Sequence, residues 1–239
     1  MTSESPSLPH LRDTYQKEIA DLRQTFERTG DGSAAIRRRS TFVDKVVRQL
    51  WTDLTGNHDN LANITVVATG GFGRKELFPY SDIDVLFLCA NDTVERDHHD
   101  IIRSCTQAMW DIGLRASPST RTYKECDRVD PDNLEFVVSL LDRRYLCGDY
   151  VLYKRLENEL LPSLVLREWN MLVQNLAEMA RARHSKYGNT IFHLEPNIKE
   201  CPGGLRDYHL SQWLTLLFSL QAQKAWPCLR LPAARHEGP

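Results

Sequence analysis

Apolar residues recur at three- and four-residue intervals through the first part of the chain, which is the spacing of one face of a helix. Two such stretches are separated by a polar turn, Gly30-Asp31-Gly32-Ser33. The inward positions predicted for them are Leu11, Tyr15, Ile19 and Leu22, and then Phe42, Val46, Val47, Leu50 and Trp51. The chain is therefore predicted to begin with a pair of helices over residues 8–54.

The pattern then changes to short, apolar runs rich in β-branched residues. Residues 64–69 and 82–88 predict two strands, and residues 114–123 predict a third. A helix is predicted over residues 94–112, and residues 74–77 are compatible with a short one. Because Pro118 cannot donate a hydrogen bond to a sheet, we expect the third strand to lie at an edge or to be bulged.

Most of the remaining chain has helical periodicity. Helices are predicted over residues 133–146, 150–161, 166–184 and 205–224, with a short extended piece at residues 190–194. The pattern is that of an α+β module with helices on both sides. We expect an N-terminal helical segment (residues 1–60), a core (residues 61–148) and a helical domain (residues 149–239).

Composition narrows the class of protein. The 30 basic and 32 acidic side chains give a formal net charge of −2, which excludes a broad basic surface for nucleic acid but not a local pocket for a triphosphate. Six scattered cysteines without a C-x-x-C pair indicate reduced thiols. The start of the chain lacks the apolar core of a secretory signal, and the longest apolar run is too short to span a bilayer. We expect a cytoplasmic protein that binds neither nucleic acid nor membrane.

Residues 70–84 carry the candidate chemistry, because a glycine-rich turn leads there into Ser81-Asp82-Ile83-Asp84. Side chains alternate along a strand, so the two aspartates are expected on one face. Two neighbouring carboxylates repel each other unless a cation lies between them, and their oxygens suit magnesium, which bridges to nucleotide phosphates. The glycines leave backbone N–H groups able to approach those phosphates, and a helix starting there adds its positive end.

Other interpretations of this stretch are weaker. A dinucleotide-binding motif would need glycine where Glu76 stands, and the G-K-[ST] end of a P-loop is missing. A purely structural interpretation is a glycine turn and a strand whose aspartates only cap and solvate it. Aspartate is disfavoured inside strands, and burying two on one face costs free energy without a ligand, so the metal interpretation is preferred.

The order G-G-x-G-R, then S-D-I-D and an apolar strand, resembles the DNA polymerase β-type nucleotidyltransferase superfamily. It is most similar to the bacterial protein-PII uridylyltransferases. The likeness continues at residues 110–114, 121–122, 125–126, 146–149, 194–200 and 202–207. It covers residues 11–226 and implies a polymerase β-like core, a small mixed sheet with helices, flanked by helical segments.

The resemblance also implies a reaction. Such enzymes use two magnesium ions to transfer UMP from UTP to a tyrosine of the nitrogen-signalling protein PII, and they release pyrophosphate. By this resemblance Asp82 and Asp84 are the catalytic metal ligands. The residues expected at the nucleotide are Gly70, Gly71, Gly73, Arg74 and Ser81, with Arg74 neutralising the phosphates.

The sequence departs from the family in two places. The superfamily usually supplies a third carboxylate from the next strand, but residues 114–122 contain no acid. Glu125 or Asp142 would serve instead, or the site is weakened. Cys201 stands where the family commonly has glycine, which matters if the backbone there has a positive φ.

Three more motifs have a plain explanation beside a functional one. Arg37-Arg38-Arg39 is predicted to be a solvated helix face, although these arginines could approach a triphosphate. His98-His99-Asp100 is predicted to be solvated surface, because no partner histidines stand at metal-site spacing. Residues 195–207 either start a helix flexibly or fold back over the nucleotide, and the second interpretation is slightly preferred.

Uridylyltransferases of this family continue with an HD-type phosphohydrolase domain and two ACT domains. The residues after Trp226 are too few to form such domains. The helical pattern is lost over residues 227–239, so a truncated or frameshifted product is expected. Three functions stay open: an active uridylyltransferase on PII, a nucleotidyltransferase with another acceptor, and a non-catalytic nucleotide- or partner-binding module.

Overall fold

The computed structural model describes residues 8–56, 62–129, 134–192, 194–195 and 197–223. The chain divides into two compact units, one of residues 1–128 and 135–156 and the other of residues 129–134 and 157–239. The first unit combines a mixed sheet with helices, which confirms the predicted α+β class. None of the helices within the described ranges is long and apolar enough to cross a membrane.

The elements are as follows. The helices are α1 (Leu8–Thr29), α2 (Gly32–Thr55), α3 (Gly70–Gly73), α4 (Asp92–Asp97), α5 (His99–Asp111), α6 (Tyr123–Cys126), α7 (Leu134–Leu141), α8 (Tyr150–Arg155), α9 (Leu161–Arg167), α10 (Trp169–Lys186) and α11 (Leu205–Gln223). The strands are β1 (Ile64–Ala68), β2 (Ile83–Cys89), β3 (Ala116–Thr122) and β4 (Arg144–Gly148). A single π-helical turn, Leu156–Leu160, joins α8 to α9.

The two predicted N-terminal helices are confirmed. Asp31 caps α2, because its carboxylate accepts a hydrogen bond from the backbone N–H of Ala34 at 2.8 Å. Gly56 ends the helix with a φ of +66°, a conformation that glycine adopts without a steric cost. The inner face of α2, including Val47 and Trp51, is fully buried in the core of the first unit.

The sheet has the strand order β3-β2-β1-β4. Strand β1 is antiparallel to β2 and to β4, whereas β2 and β3 are parallel. Strand β3 therefore lies at an edge, as the proline at position 118 predicts. The central strand β2 is buried on both faces over most of its length, since Leu86 and Phe87 are both inaccessible to solvent. Its polar residues are thus confined to the end at which the chain enters the sheet.

The fourth strand was not predicted, and the helix expected over residues 133–146 is wrong in its second half. Helix α7 ends at Leu141, and Arg144 begins β4, which pairs with the outer edge of β1. A run of only a few apolar residues fits a strand as well as a helix, and the tertiary pairing with β1 decides. Gly148, with a φ of +87°, closes this strand against the backbone of Ile64.

Three local predictions also differ. The helix predicted over residues 94–112 is broken at His98 into α4 and α5. Residues 74–77 are not helical, because the chain turns at Lys75, whose φ is +63°. The described positions among residues 190–194 form no strand, and Phe192 is exposed.

The described part of the second unit includes the helices α9, α10 and α11. Helix α11 packs on α9 and α10, and its buried residues include Trp213, Leu217 and Leu220. Trp169 and Phe218 meet edge to face with ring centroids 5.0 Å apart, a favourable arrangement for aromatic pairs.

Candidate active site

The glycine turn that begins at Gly70 is in close contact with Asp84, the second aspartate of the sequence motif. The backbone N–H of Thr69 donates to the carbonyl of Asp84 at 3.1 Å, so the antiparallel pairing of β1 and β2 continues to the start of the turn. Gly70 follows with a φ of +54°, and a Cβ placed on it would lie 2.9 Å from Oδ2 of Asp84. The absence of a side chain at position 70 is therefore what lets the carboxylate occupy this place.

The two aspartates have different surroundings. Asp84 is half-buried within β2, while Ile83 beside it is fully buried in the core, which is the alternation that the sequence predicts. Asp82 lies just before the strand, and its side chain is 61% exposed. Its Oδ1 is 3.4 Å from Nε of Arg115, and Nη1 of the same arginine donates to the carbonyl of Tyr80 at 3.3 Å. An exposed cation, Arg115, thus lies at the end of β2 that carries the aspartates.

The remaining residues predicted at the nucleotide divide into two groups. Gly71 and Ser81 are half-buried near the entrance of β2, where Ser81 closes a turn with its N–H donating to the carbonyl of Phe78 at 3.0 Å. Gly73 is buried, and a Cβ there would collide with the carbonyl oxygen of Asp142 at 1.6 Å. Packing thus accounts for glycine at position 73.

Arg74 is held between two carboxylates. Its Nε donates to Glu76 at 2.8 Å, and another nitrogen of its guanidinium donates to Asp142. Only 17% of its side chain is exposed, so this cation is already neutralised by its neighbours. Arg74 therefore stabilises the turn that carries the glycines.

Helix α2 holds the loop before Asp82 through contacts that no sequence pattern indicates. Arg39 is buried and donates to the carbonyl oxygens of Leu77 and Phe78. The hydroxyl of Ser40 accepts from the N–H of Leu77 at 3.3 Å. The prediction of a solvated face at residues 37–39 is therefore wrong for Arg39, although Arg37 and Arg38 are exposed.

A second, half-buried arginine holds the glycine turn itself. Arg144, at the start of β4, forms a two-pronged pair with Asp44 of α2 at 2.7 and 2.9 Å. It also donates to the carbonyls of Phe72 and Gly73, at 2.9 and 3.1 Å. The last carbonyls of α3 are thereby satisfied by a cation from another strand, which fixes the turn against the sheet.

The strand register identifies the residue beside Asp84 on the neighbouring strand as Ser117. Glu125 lies beyond Thr122, which is five residues further along β3 and roughly 16 Å away at the usual rise of a strand. There Glu125 forms a capping box with Thr122, accepting from its N–H at 2.8 Å. Asp142 accepts from Arg74. Both candidates for a third carboxylate therefore have a structural role.

The two aspartates suit one magnesium ion that takes further ligands from a nucleotide and water better than a metal site made of protein ligands alone. In the described part of the chain, no three His, Cys, Asp or Glu side chains are arranged to hold a metal ion. Magnesium, however, is commonly held by one or two carboxylates together with substrate phosphates and water. Asp82 and Asp84 at the entrance of β2 supply that number. The residues present thus suit an ion that arrives with a nucleotide.

The His98-His99-Asp100 motif lies where α4 ends and α5 begins. Nδ1 of His98 is 2.8 Å from the carbonyl of Val94, and His99 and Asp100 are exposed. This agrees with the predicted solvated surface.

In the second unit, the conspicuous segment at residues 195–207 is anchored by Asp207. This carboxylate accepts hydrogen bonds from Arg183, from His184 at 2.9 Å and from the N–H of Gly203 at 2.7 Å. Burial raises the pKa of Asp207, but the hydrogen bonds from His184, Gly203 and Arg183 outweigh it and leave the pKa below its usual value. Asp207 therefore connects the start of α11 to α10 and to the backbone of Gly203.

The two glycines of this segment have a conformational explanation. Gly203 has a φ of +78°, and a Cβ on Gly204 would lie 2.8 Å from the carbonyl oxygens of both Cys201 and Ile198. Cys201 is buried and is not among the residues with a positive φ, so cysteine is accommodated there. Exposed Lys199 and Ile198 form the outside of the turn.

Two protein-family models match parts of the chain. Residues 47–146, which include the whole Gly70–Asp84 turn, match the family described as "Nucleotidyltransferase domain". Residues 171–231 match the family described as "GlnD PII-uridylyltransferase". The second match covers the segment anchored by Asp207.

Curated relatives are similar over most of the chain. A "Bifunctional uridylyltransferase/uridylyl-removing enzyme" of Nitrosococcus oceani is 36% identical over 216 residues, 90% of this chain and 23% of the relative. The enzyme of the same description from Pasteurella multocida is 36% identical over 76% of this chain and 20% of the relative. That from Ralstonia nicotianae is 37% identical over 85% of this chain and 23% of the relative.

The chain spans less than a quarter of the length of these relatives. The chain thus carries a nucleotidyltransferase domain and is related, over most of its length, to the bacterial PII-uridylyltransferases.

Proposed function

We propose that the protein transfers UMP from UTP to a tyrosine of a PII-type signalling protein in a magnesium-dependent reaction. The observation that carries the proposal is the position of the Asp84 carboxylate against Gly70, which brings a metal ligand and a glycine turn to one point. The relatedness to bifunctional uridylyltransferases supports the choice of nucleotide and acceptor.

In this proposal each part of the site has a separate task. Asp82 and Asp84 hold the magnesium ion, which supplies positive charge for the phosphates when bound. Gly70 and Gly71 let the backbone approach the phosphates, and Ser81 lies beside them. Arg39 and Arg144 keep the loop and the turn in place from the core side. A second ion, which the resemblance implies, would need most of its ligands from the nucleotide and water.

The transfer itself needs little from the protein beyond positioning and charge. The tyrosine oxygen of the acceptor forms a bond to the α-phosphorus of UTP, and the bond from that phosphorus to the bridging oxygen breaks. Pyrophosphate leaves with the bonding electrons, and the phenolic proton passes to water. The acceptor tyrosine belongs to the partner in this reaction.

One observation favours a second candidate function, a module that binds nucleotide or a partner without transferring a group. The residue beside Asp84 on β3 is Ser117 rather than an acid, and both alternative carboxylates are occupied structurally. A nucleotidyltransferase with another acceptor shares the same site, and the acceptor distinguishes it.

The proposed location is the cytoplasm. The five cysteines in the described ranges are buried, and none of them forms a disulfide. Burial raises the pKa values of Cys89, Cys105 and Cys126 to about 12, so these thiols stay protonated and unreactive at neutral pH. Such thiols are compatible with a reducing compartment.

The test is transfer of labelled UMP from UTP to purified PII with magnesium. The chain is compared with Asp82→Asn, Asp84→Asn and the double variant. Asp100→Asn is the matched control, because Asp100 is fully exposed on α5. We expect label on PII with the natural chain and the control, and a loss of at least a hundredfold in the double variant, as for removal of a central charge-stabilising group.

Each outcome separates the candidates. Label that persists in the double variant would contradict the assignment of the aspartates. If the chain binds magnesium–UTP but transfers UMP neither to PII nor to any other protein or small molecule, the binding module is favoured. Transfer of UMP only to an acceptor other than PII would support the assigned site and contradict PII as the acceptor.

A further inference from the structure

Arg115 lies next to the end of β2 that carries the two aspartates. The sequence motif assigns no role to this arginine. Its carbonyl accepts the N–H of Ile83 at 2.8 Å, so its backbone is fixed beside the aspartate pair. Its side chain turns to Asp82, 3.4 Å from Nε to Oδ1, and to the carbonyl of Tyr80. A positive charge therefore stands at the carboxylate that the proposed function assigns to magnesium.

This ion pair differs from the others around the glycine turn. The side chains of Arg115 and Asp82 are 64% and 61% exposed, whereas those of Arg74 and Arg144 are 17% and 20% exposed. Exposed pairs contribute about 0–1 kcal/mol, since water competes for both charges. Arg115 can therefore leave Asp82 at little cost, while Arg74 and Arg144 are held by carboxylates whose side chains are at most 27% exposed.

We propose that Arg115 binds the phosphates of the incoming nucleotide, and that its pair with Asp82 is the state of the site without nucleotide. The inference rests on the proposed function, because it takes Asp82 and Asp84 as the magnesium ligands. When magnesium and nucleotide bind together, the ion takes Asp82, and the guanidinium turns to the phosphate oxygens. Arginine suits this role, because its planar group presents paired donors to a phosphate.

The proposal has a consequence that a structural salt bridge does not share. Without nucleotide, Arg115 competes with a divalent cation for Asp82 and weakens binding of the bare ion. With nucleotide, Arg115 adds an attraction for the phosphates. Removal of the guanidinium is therefore expected to change the two affinities in opposite directions.

The test uses the full chain and two titrations followed by calorimetry, without any acceptor protein. The first probe is magnesium chloride alone, and the second is UTP in saturating magnesium. In Arg115→Ala we expect binding of magnesium–UTP to weaken about tenfold or more, the effect of losing one charge-assisted hydrogen bond. Binding of magnesium alone is expected to tighten a few-fold. Arg115→Lys should lie between, because it keeps the charge without the planar group.

Arg103→Ala is the matched control, because Arg103 is exposed on α5 and its loss changes the net charge equally. Affinity for magnesium–UTP in Arg115→Ala that equals the natural chain or the Arg103→Ala control would overturn the proposal. So would weaker binding of magnesium alone.

Failure of the proposed function has a different signature. In Asp84→Asn, both affinities should fall if the metal assignment is right. Unchanged magnesium–UTP binding in Asp84→Asn would remove the proposed function itself. Lost binding in Asp84→Asn together with unchanged binding in Arg115→Ala would remove only the role of Arg115.

Discussion

The carboxylate of Asp84 lies where the side chain of residue 70 would stand, 2.9 Å from the Cβ that Gly70 lacks. Gly70→Ala should therefore push the carboxylate from its place, in addition to straining a backbone at φ +54°. We expect a loss of about 1–2 kcal/mol in the free energy of unfolding from the backbone alone, and at least a tenfold loss of magnesium–UTP affinity. Calorimetry and urea denaturation measure the two effects.

Gly56→Ala separates strain from displacement. Gly56 has a similar φ of +66° and no atom within 4 Å of its missing Cβ. It should lose about the same stability and keep nucleotide binding. Equal binding losses in both variants would refute the steric account.

The pair between Asp44 and Arg144 is expected to be a main anchor of the site. Asp44→Asn leaves a half-buried guanidinium without its carboxylate, so we expect the free energy of unfolding to fall by about 3 kcal/mol. Asp21→Asn breaks the exposed pair with Arg38 and should cost about 1 kcal/mol or less. Urea denaturation of the two variants measures the difference, and similar losses would contradict an anchoring role.

Glu125 is expected to be a helix cap and no metal ligand. Glutamine can still accept the hydrogen bond from the N–H of Thr122, so Glu125→Gln should change stability by less than about 0.5 kcal/mol. UMP transfer to PII should remain at the natural rate. A tenfold fall in transfer with stability unchanged would instead make Glu125 the third carboxylate.

Lys75 adopts a φ of +63° in the turn between α3 and β2. Lys75→Gly removes a steric cost of about 1–2 kcal/mol and adds about 0.5–1 kcal/mol of chain entropy in the unfolded state. We expect a net gain of about 0.5–1 kcal/mol in thermal or urea denaturation. Lys75→Ala removes the same charge but keeps a Cβ, so it should give no gain. A gain in both variants would point to charge rather than backbone.

Stability of the second unit should depend on Asp207 and on pH. Because the pKa of Asp207 is lowered in the folded state, its contribution is complete above the unfolded value of about 3.9. The contribution is lost as pH falls through the lower folded value. Asp207→Asn should therefore cost about 1–3 kcal/mol at pH 7, since charged hydrogen bonds are lost.

The same comparison at pH 3 and below should show a shrinking difference between Asp207→Asn and the natural chain. Urea denaturation at each pH provides the measurement. A difference that is constant from pH 7 to the acid range would show that the charge of Asp207 contributes nothing.

The local parts of the site could be predicted from sequence. The alternation of Ile83 and Asp84 across β2 is a property of any strand, and Gly70 precedes it in an evident turn. The turn at Lys75 and the strand at Arg144 were missed, because short runs fit more than one conformation until tertiary contacts decide. The break of the predicted helix at His98 and the lack of a strand at the described positions among residues 190–194 also differ from the prediction.

The supporting residues could not be predicted in the same way. Arg144 meets Asp44 across a separation of 100 residues, and Arg39 meets Phe78 across 39. No spacing rule connects such positions. The residue opposite Asp84 likewise depends on the register of β2 and β3, which is a property of the assembled sheet.

The hydrogen bonds from α2 bear on how small a working fragment can be. Arg39, Ser40 and Asp44 come from a helix that precedes β1, and they hold the loop before Asp82 and the arginine under the glycine turn. A fragment that begins at β1 would keep every residue of the G-G-x-G-R and S-D-I-D motifs but lose these three. Deletion analysis guided by motif boundaries would thus disturb the candidate site for a reason unrelated to the motifs, whereas a fragment starting before Gly32 retains all three residues.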